Sequence, residues 1–321
     1  GIPPVLHLLA ADGGVERYDL SEGTAPKILS PLPEKNIVDI FVGDEGGLAF
    51  LETGMIVPFG AGSSDPVDPR YSFMHGEGLT RSPGFPGSHV RYGGDRLVTF
   101  GAKEGFHLYR FEKDFWRADG RLPANGFAHG VAVDGDRLYL ANGWEGVRIG
   151  RVLEEGKVEW TGRIETEEAR NIAVDGDLMA VADGFGGARF YSLSGTGEPR
   201  HLSTHRSRSF LSAVTLRNGK AYIAAGLAGM EVVDISDPED PNLIMAEALS
   251  EVRGIDTDEK YLYVADGLNG FRIYSLGEKV PELVSTADTP GWVSDLRVEG
   301  DRLHIADGQR GFMIFDVSDR A

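Results

Sequence analysis

The chain contains no cysteine, so disulfides, thiolate zinc sites and cysteine nucleophiles are excluded together. The redox compartment stays open, because a thiol-free protein suits an oxidising envelope as well as the cytosol. No stretch approaches the roughly 20 apolar residues that a membrane-spanning helix needs, and the run Val5 to Ala11 is short even for a signal-peptide core. A soluble chain without membrane insertion is expected. Positive charge is scarce. With 32 Lys and Arg against 50 Asp and Glu, the net charge is −18, which opposes nucleic acid or anionic membrane as a partner, since both require a basic surface to displace counterions. Catalytic signatures are missing too: there is no Gly-x-Ser-x-Gly elbow, His-Glu-x-x-His pair, phosphate loop or EF-hand run. No catalytic residue, metal ligand or cofactor is therefore assigned.

Glycine, by contrast, is abundant. The 44 glycines are spread over the whole length, and 41% of residues are hydrophobic, as expected of a fully folded chain. At 321 residues the chain exceeds what one compact core organises, and the glycines show how the length is used. The segments LANGWEG, VADGFGG, IAAGLAG, VADGLNG and IADGQRG end at Gly146, Gly187, Gly229, Gly270 and Gly311, with spacings of 41, 42, 41 and 41. Weaker copies end at Gly105, Gly54 and Gly14, which makes eight anchors. Five residues before each of the last five anchors stands Ala141, Ala182, Ala224, Ala265 or Ala306, a small side chain that admits a neighbouring sheet. Asn142, Asp183, Asp266 and Asp307 precede Gly143, Gly184, Gly267 and Gly308, the turn chemistry of a hairpin tip with positive φ.

Strands with period-two alternation flank each tip, a third strand lies upstream and a fourth downstream. Four short strands in about 41 residues is the unit of a β-propeller blade. A β-helix would need shorter rungs, and helical repeats would show a 3.6-residue period. The sequence therefore predicts an all-β, single-domain propeller over residues 1–321, with eight blades preferred and seven as the alternative. Ala224 to Ala248, Ala265 to Ser275 and Ala306 to Asp319 resemble the LVIVD repeat family. That resemblance implies a propeller found mostly on envelope or secreted proteins, without a family-wide activity, so an extracellular, periplasmic or cell-surface location is expected.

In such a blade, the loops joining the second and third strands emerge on the same face as the loops joining one blade to the next. Loops from every blade converge there on a rigid scaffold, the usual place for a ligand. Those loops carry His129, Arg170, Arg206, Arg208 and Arg253, with Trp292 in the last. His129, Arg170 and Arg253 each stand 17 residues before an anchor, so they share a rotational column. Two readings are open: an anion-binding mouth, or ion pairs with Glu165, Glu167, Glu168 and Glu251 that leave no net field. A second column, Trp144, Phe185, Leu227 and Leu268, follows the tip glycines and is expected to cap the blade cores rather than to form a contact patch. Asp134, Asp136, Asp175 and Asp177 read as turn formers on the opposite face rather than calcium ligands. Between Gly54 and Gly105 the repeat carries about ten extra residues, within Gly60 to Ser88. A lid and a decayed blade fit that excess equally. The function expected is a non-enzymatic binding or scaffold propeller of the cell envelope, for a protein or a small-molecule ligand, with an anion as one candidate. The rival is a hydrolase or lyase at the same mouth, drawing on His75, His129 or His205.

Overall fold

A computed structural model of the chain describes residues 127–321, apart from 154–157, 196–197, 278–279, 309–311 and 319–321, together with the strands before residue 127. The molecule is all β. Five sheets have four strands each, and each is an antiparallel meander in chain order. Blade I comprises Ser88–Tyr92, Arg96–Gly101, Gly105–Glu112 and Phe115–Leu122. Blade II comprises Gly130–Asp134, Arg137–Ala141, Val147–Val152 and Val158–Ile164. Blade III comprises Asn171–Asp175, Leu178–Ala182, Ala188–Ser192 and Arg200–His205. Blade IV comprises Ala213–Arg217, Lys220–Ala224, Met230–Asp234 and Asn242–Glu247. Blade V comprises Ile255–Thr257, Tyr261–Ala265, Phe271–Ser275 and Glu282–Ala287. The first strands of successive blades lie side by side, so they are the inner strands of a propeller.

The expectation of eight blades, or seven, is corrected to five complete four-stranded blades among the described residues. Asp295–Glu299, Arg302–Ala306 and Phe312–Asp316 join Val5–Leu9, Val15–Asp19 and Lys27–Leu29 in one six-stranded sheet, through the single register pair Leu9 and Phe312. Ile37–Gly43, Gly46–Leu51 and Ile56–Gly60 form a sheet of three. The repeat is weakest in this first third, where Glu52-Thr53 stands in place of an Asp-Gly tip. Without that regular punctuation the strands do not divide into units of four. The extra residues of the long interval, 61–87, lie outside the described residues.

The cores sit between blades, not within them. Tyr222 and Ala224 pack with Val252, Ile255, Leu262 and Val264 of the next blade. Their neighbours Ala221 and Ile223 point the other way, to Ala180, Ala182 and Phe190 of the preceding one. A second strand is thus buried on both faces, which is why LYLA, MAVA, AYIA and LYVA are continuous apolar runs rather than alternating ones. The alanine column stands at the tightest part of this packing. Ala141, Ala182, Ala224 and Ala265 are fully buried, whereas Ala306, in the six-stranded sheet, is only partly so.

Candidate binding face at the blade connectors

Each tip between second and third strands turns through glycines with positive φ, for example Gly226 at 51° and Gly229 at 90°. The tip is then held by the segments that connect blades. Gly143 pairs with Ala169, Gly184 with Leu211, Gly226 with Val252 and Gly267 with Val293, in each case the connector leaving that blade. The connector entering the blade is fixed by a buried carboxylate. Asp183 accepts hydrogen bonds from the Glu167 and Glu168 amides at 3.0 and 2.6 Å and from Arg189 Nε at 2.6 Å. Asp266 accepts from the Ser250 amide and Arg272 Nε, both at 2.7 Å. Asp307 accepts from Thr289 Oγ1 and the Gly291 amide at 2.7 and 2.8 Å. These aspartates do more than favour a turn: with no exposed surface, each fixes the connector entering its sheet to that sheet's tip.

Blade IV solves the same problem differently. Ala225 stands where the other blades have Asp or Asn, and Glu231 stands where blades III and V have Arg189 and Arg272. Glu231 accepts from His205 Nε2 at 2.8 Å and Ser207 Oγ at 2.7 Å, both belonging to the way into blade IV. Burial pushes the Glu231 carboxyl up, but the hydrogen bonds from His205 and Ser207 outweigh it and hold it below the usual range. His205 is therefore part of a connector anchor.

The proposed mouth residues are found on this face. His129, Arg170 and Arg253 do share a column, with Ser212 and Ser294 as its other members. Arg170 Nη1 lies 3.0 Å from His129 Nε2 and 3.0 Å from Glu168 Oε1. Because a guanidinium can only donate, Nε2 accepts and the imidazole proton sits on Nδ1. Burial, with Arg170 adding to it, pushes His129 down from 6.5 to about 4. Arg253 is paired with Glu251 at 2.7 Å and lies 4.5 Å over the Trp292 ring, as Arg170 lies 5.3 Å over Phe210. Ion pairing, one of the two readings, is thus what Arg170 and Arg253 adopt. Arg206 and Arg208 are exposed, and among the described residues neither has an ion pair or hydrogen bond. His75 lies outside the described residues.

The connectors alternate. Two of them, 165–170 and 248–254, carry Glu-x-Arg as Glu168/Arg170 and Glu251/Arg253. The others, 123–129, 206–212 and 288–294, carry an aromatic residue, Phe127, Phe210 or Trp292. The arginine of each Glu-x-Arg connector therefore stacks on the aromatic ring of the next.

The column after the tip glycines is not a set of core caps. Trp144, Phe185, Leu227 and Leu268 are 55%, 71%, 77% and 71% exposed, a correction to the expected burial. The reason is the tip itself: the Gly-to-connector bridges hold the backbone flat on the face, so the side chain one residue on points away from the blade. Phe127 stacks edge-on with Trp144 at 4.8 Å, and Phe210 with Phe185 at 5.2 Å. Tips and aromatic connectors thus make one apolar, aromatic rim. The sequence held a signal for it, since the same column is apolar in four consecutive blades.

Fold and face together define a β-propeller with a connector-side rim. Residues 213–246, 251–273 and 290–321 match the LVIVD repeat, which supports an LVIVD-repeat β-propeller. Its backbone is similar to a computationally designed protein, Ika8, with a TM-score of 0.68 at 10% identity, over 97% of this chain and 93% of that one. It is also similar to U3-55K, with a TM-score of 0.58 at 12% identity, over 85% of this chain and 92% of that one. At such identities the likeness is one of fold. No curated protein matches the sequence. Among the described residues, no helix is long and apolar enough to cross a membrane.

Proposed function

We propose that this protein is a non-enzymatic binding or scaffold propeller of the cell envelope, and that its connector face is the surface that binds. One observation carries the reading: four large apolar side chains, Trp144, Phe185, Leu227 and Leu268, stand exposed at equivalent places in consecutive blades. Isolated exposed leucines are ordinary, but a repeated column flanked by aromatic connectors is the signature of a contact surface. The rim surrounds His129, Arg170, Arg208, Arg253 and Trp292, which supply the polar contacts of the mouth. The pairing of Arg170 with Glu168 and of Arg253 with Glu251 lowers the cationic field, so a protein partner is favoured over a small anion. A hydrolase or lyase at the same mouth would draw on His129, whose Nε2 is already engaged by Arg170.

Two experiments test the reading. Fractionation of source cells should place the protein in the envelope or outside the cell. A photo-crosslinking residue at position 185, in intact cells, should give a discrete adduct that the same residue at 177, on the opposite face, does not. A cytosolic protein or adducts equally from both positions would overturn it. Turnover of an ester, glycoside or phosphoester that is lost in His129→Ala would favour the enzyme.

A further inference from the structure

The rim is not uniform in charge. In the Glu-x-Arg connectors the arginine is matched by its own glutamate, and on the blades Arg151, Arg189, Arg200 and Arg272 each hold an acid as well. In a chain with 18 more acids than bases, Arg206 and Arg208 nevertheless stand exposed and unpaired among the described residues, two positions apart on one connector.

The local geometry explains their direction. His205 and Ser207 point inward to Glu231, and the Ser209 amide donates to Ser207 Oγ at 3.2 Å. Anchoring 205 and 207 inward turns the alternate residues 206 and 208 outward. The same connector is wedged between two tips. Leu211 is bridged to Gly184, next to Phe185. On the other side, a Cβ on Gly226, next to Leu227, would lie only 3.1 Å from the Phe210 carbonyl. Two free guanidinium groups therefore stand on the connector between two exposed tips, Phe185 and Leu227.

We propose that the connector 206–212, with Phe185 and Leu227, is a docking site for an acidic, apolar-rich peptide segment of a partner protein. Carboxylates of that segment pair with Arg206 and Arg208, where the planar guanidinium fork holds a carboxylate bidentately. Its aliphatic or aromatic side chains cover Phe185 and Leu227. Charge complementarity selects this occupant: two unpaired arginines stand two positions apart on one connector of an acidic molecule, which repels most acidic chains and so favours docking where the basic side chains stand together. An anionic membrane shares the local chemistry, but the net charge of −18 and the exposed Glu165 and Glu167 on the same face oppose it. The site rests on the connector-face reading above.

The test is a random-peptide display library panned against the full chain, with selected peptides measured by fluorescence anisotropy. Enriched sequences should combine Asp or Glu with large apolar residues. Arg206→Glu with Arg208→Glu should weaken them by about tenfold or more, while Lys260→Glu, in a turn between first and second strands, leaves them unchanged. If the charge-reversed chain melts earlier, Arg206→Gln with Arg208→Gln replaces it. Peptides without acids, or affinity indifferent to the two arginines but lost in Phe185→Ser with Leu227→Ser, would overturn the acidic partner and leave the face standing. No enrichment, or binding indifferent to both pairs of substitutions, would overturn the site and the face together. Phosphatidylglycerol vesicles that need Arg206 and Arg208 and displace the peptides would make the surface a membrane contact instead.

Discussion

The buried aspartates show how single residues organise this face. Asp183 has no exposed surface, yet three donors satisfy it, and one of them is the Arg189 guanidinium. Removing one partner of such a set strands the others, so Asp183→Ala should cost about 3–5 kcal/mol, read as a lowered midpoint in urea. Cutting Arg200, whose pair with Glu239 is mostly exposed, should cost little. His129 gives a pH signature. Its folded-state value is depressed from 6.5 to about 4 by burial and then by Arg170. The unfolded chain therefore binds the proton more readily, and the stability associated with neutral His129 is present above pH 6.5 and lost as pH falls toward 4. Asp295 works in the opposite sense: desolvation by the protein around its carboxyl, with Asp256 adding to it, pushes it up to about 6, so it favours the folded state below about pH 4 and loses that contribution as pH rises through 6. His129→Gln should flatten the acid side of a melting-midpoint profile, and Asp295→Asn should raise the midpoint at pH 7. The sequence marked the Asp-Gly pairs, but turn chemistry alone could not show that the carboxylates point inward to a connector 15 residues upstream.

At the scale of the blade, the repeat columns translate directly into packing. Ala265 sits between blade V and the six-stranded sheet with Tyr263, Val293 and Ile305 around it. Ala265→Leu should overpack that seam and cost roughly 1–3 kcal/mol, and Ala306→Leu, at a partly buried place, should cost less in the same denaturant series. The anchor glycines combine two constraints. Gly229 has φ of 90°, and a Cβ there would overlap the Glu247 carbonyl oxygen. Gly176 has φ of 55° with open space around it. Gly229→Ala should therefore be far more damaging than Gly176→Ala, which carries only the left-handed backbone penalty of about 1–2 kcal/mol. A neutral Gly229→Ala would mean that the tip is free to move off the outer strand. The four strands, their hairpin tips and the alanine column were legible because each repeats at fixed spacing. The direction of the Trp144, Phe185, Leu227 and Leu268 column was not, because an apolar column reads the same whether it faces a core or the solvent.

For the whole molecule, the seams between blades make stability a property of neighbours rather than of isolated sheets. The strand Val5–Leu9 meets Phe312–Asp316 through Leu9 and Phe312, so the two ends of the chain share a sheet. Deleting residues 1–20 should expose the edge of Phe312–Asp316, lower the melting midpoint and promote association by edge pairing. A truncated chain that stays monomeric with an unchanged midpoint would show that this sheet does not depend on the N-terminal strands. By itself the sequence determined the class: glycines at 41-residue intervals, the alanine column and Asp-Gly tips leave few folds other than a propeller. Only the tertiary structure decided how many four-stranded blades form, because strand pairing across the weak first third is not encoded in local spacing. Only it decided, too, that Arg170 and Arg253 are paired while Arg206 and Arg208 are free. The glutamate partner of each paired arginine stands two residues earlier on the same connector, but whether two exposed side chains fold onto one another or point outward is set by how the blades hold the connector, which spacing along the chain does not carry.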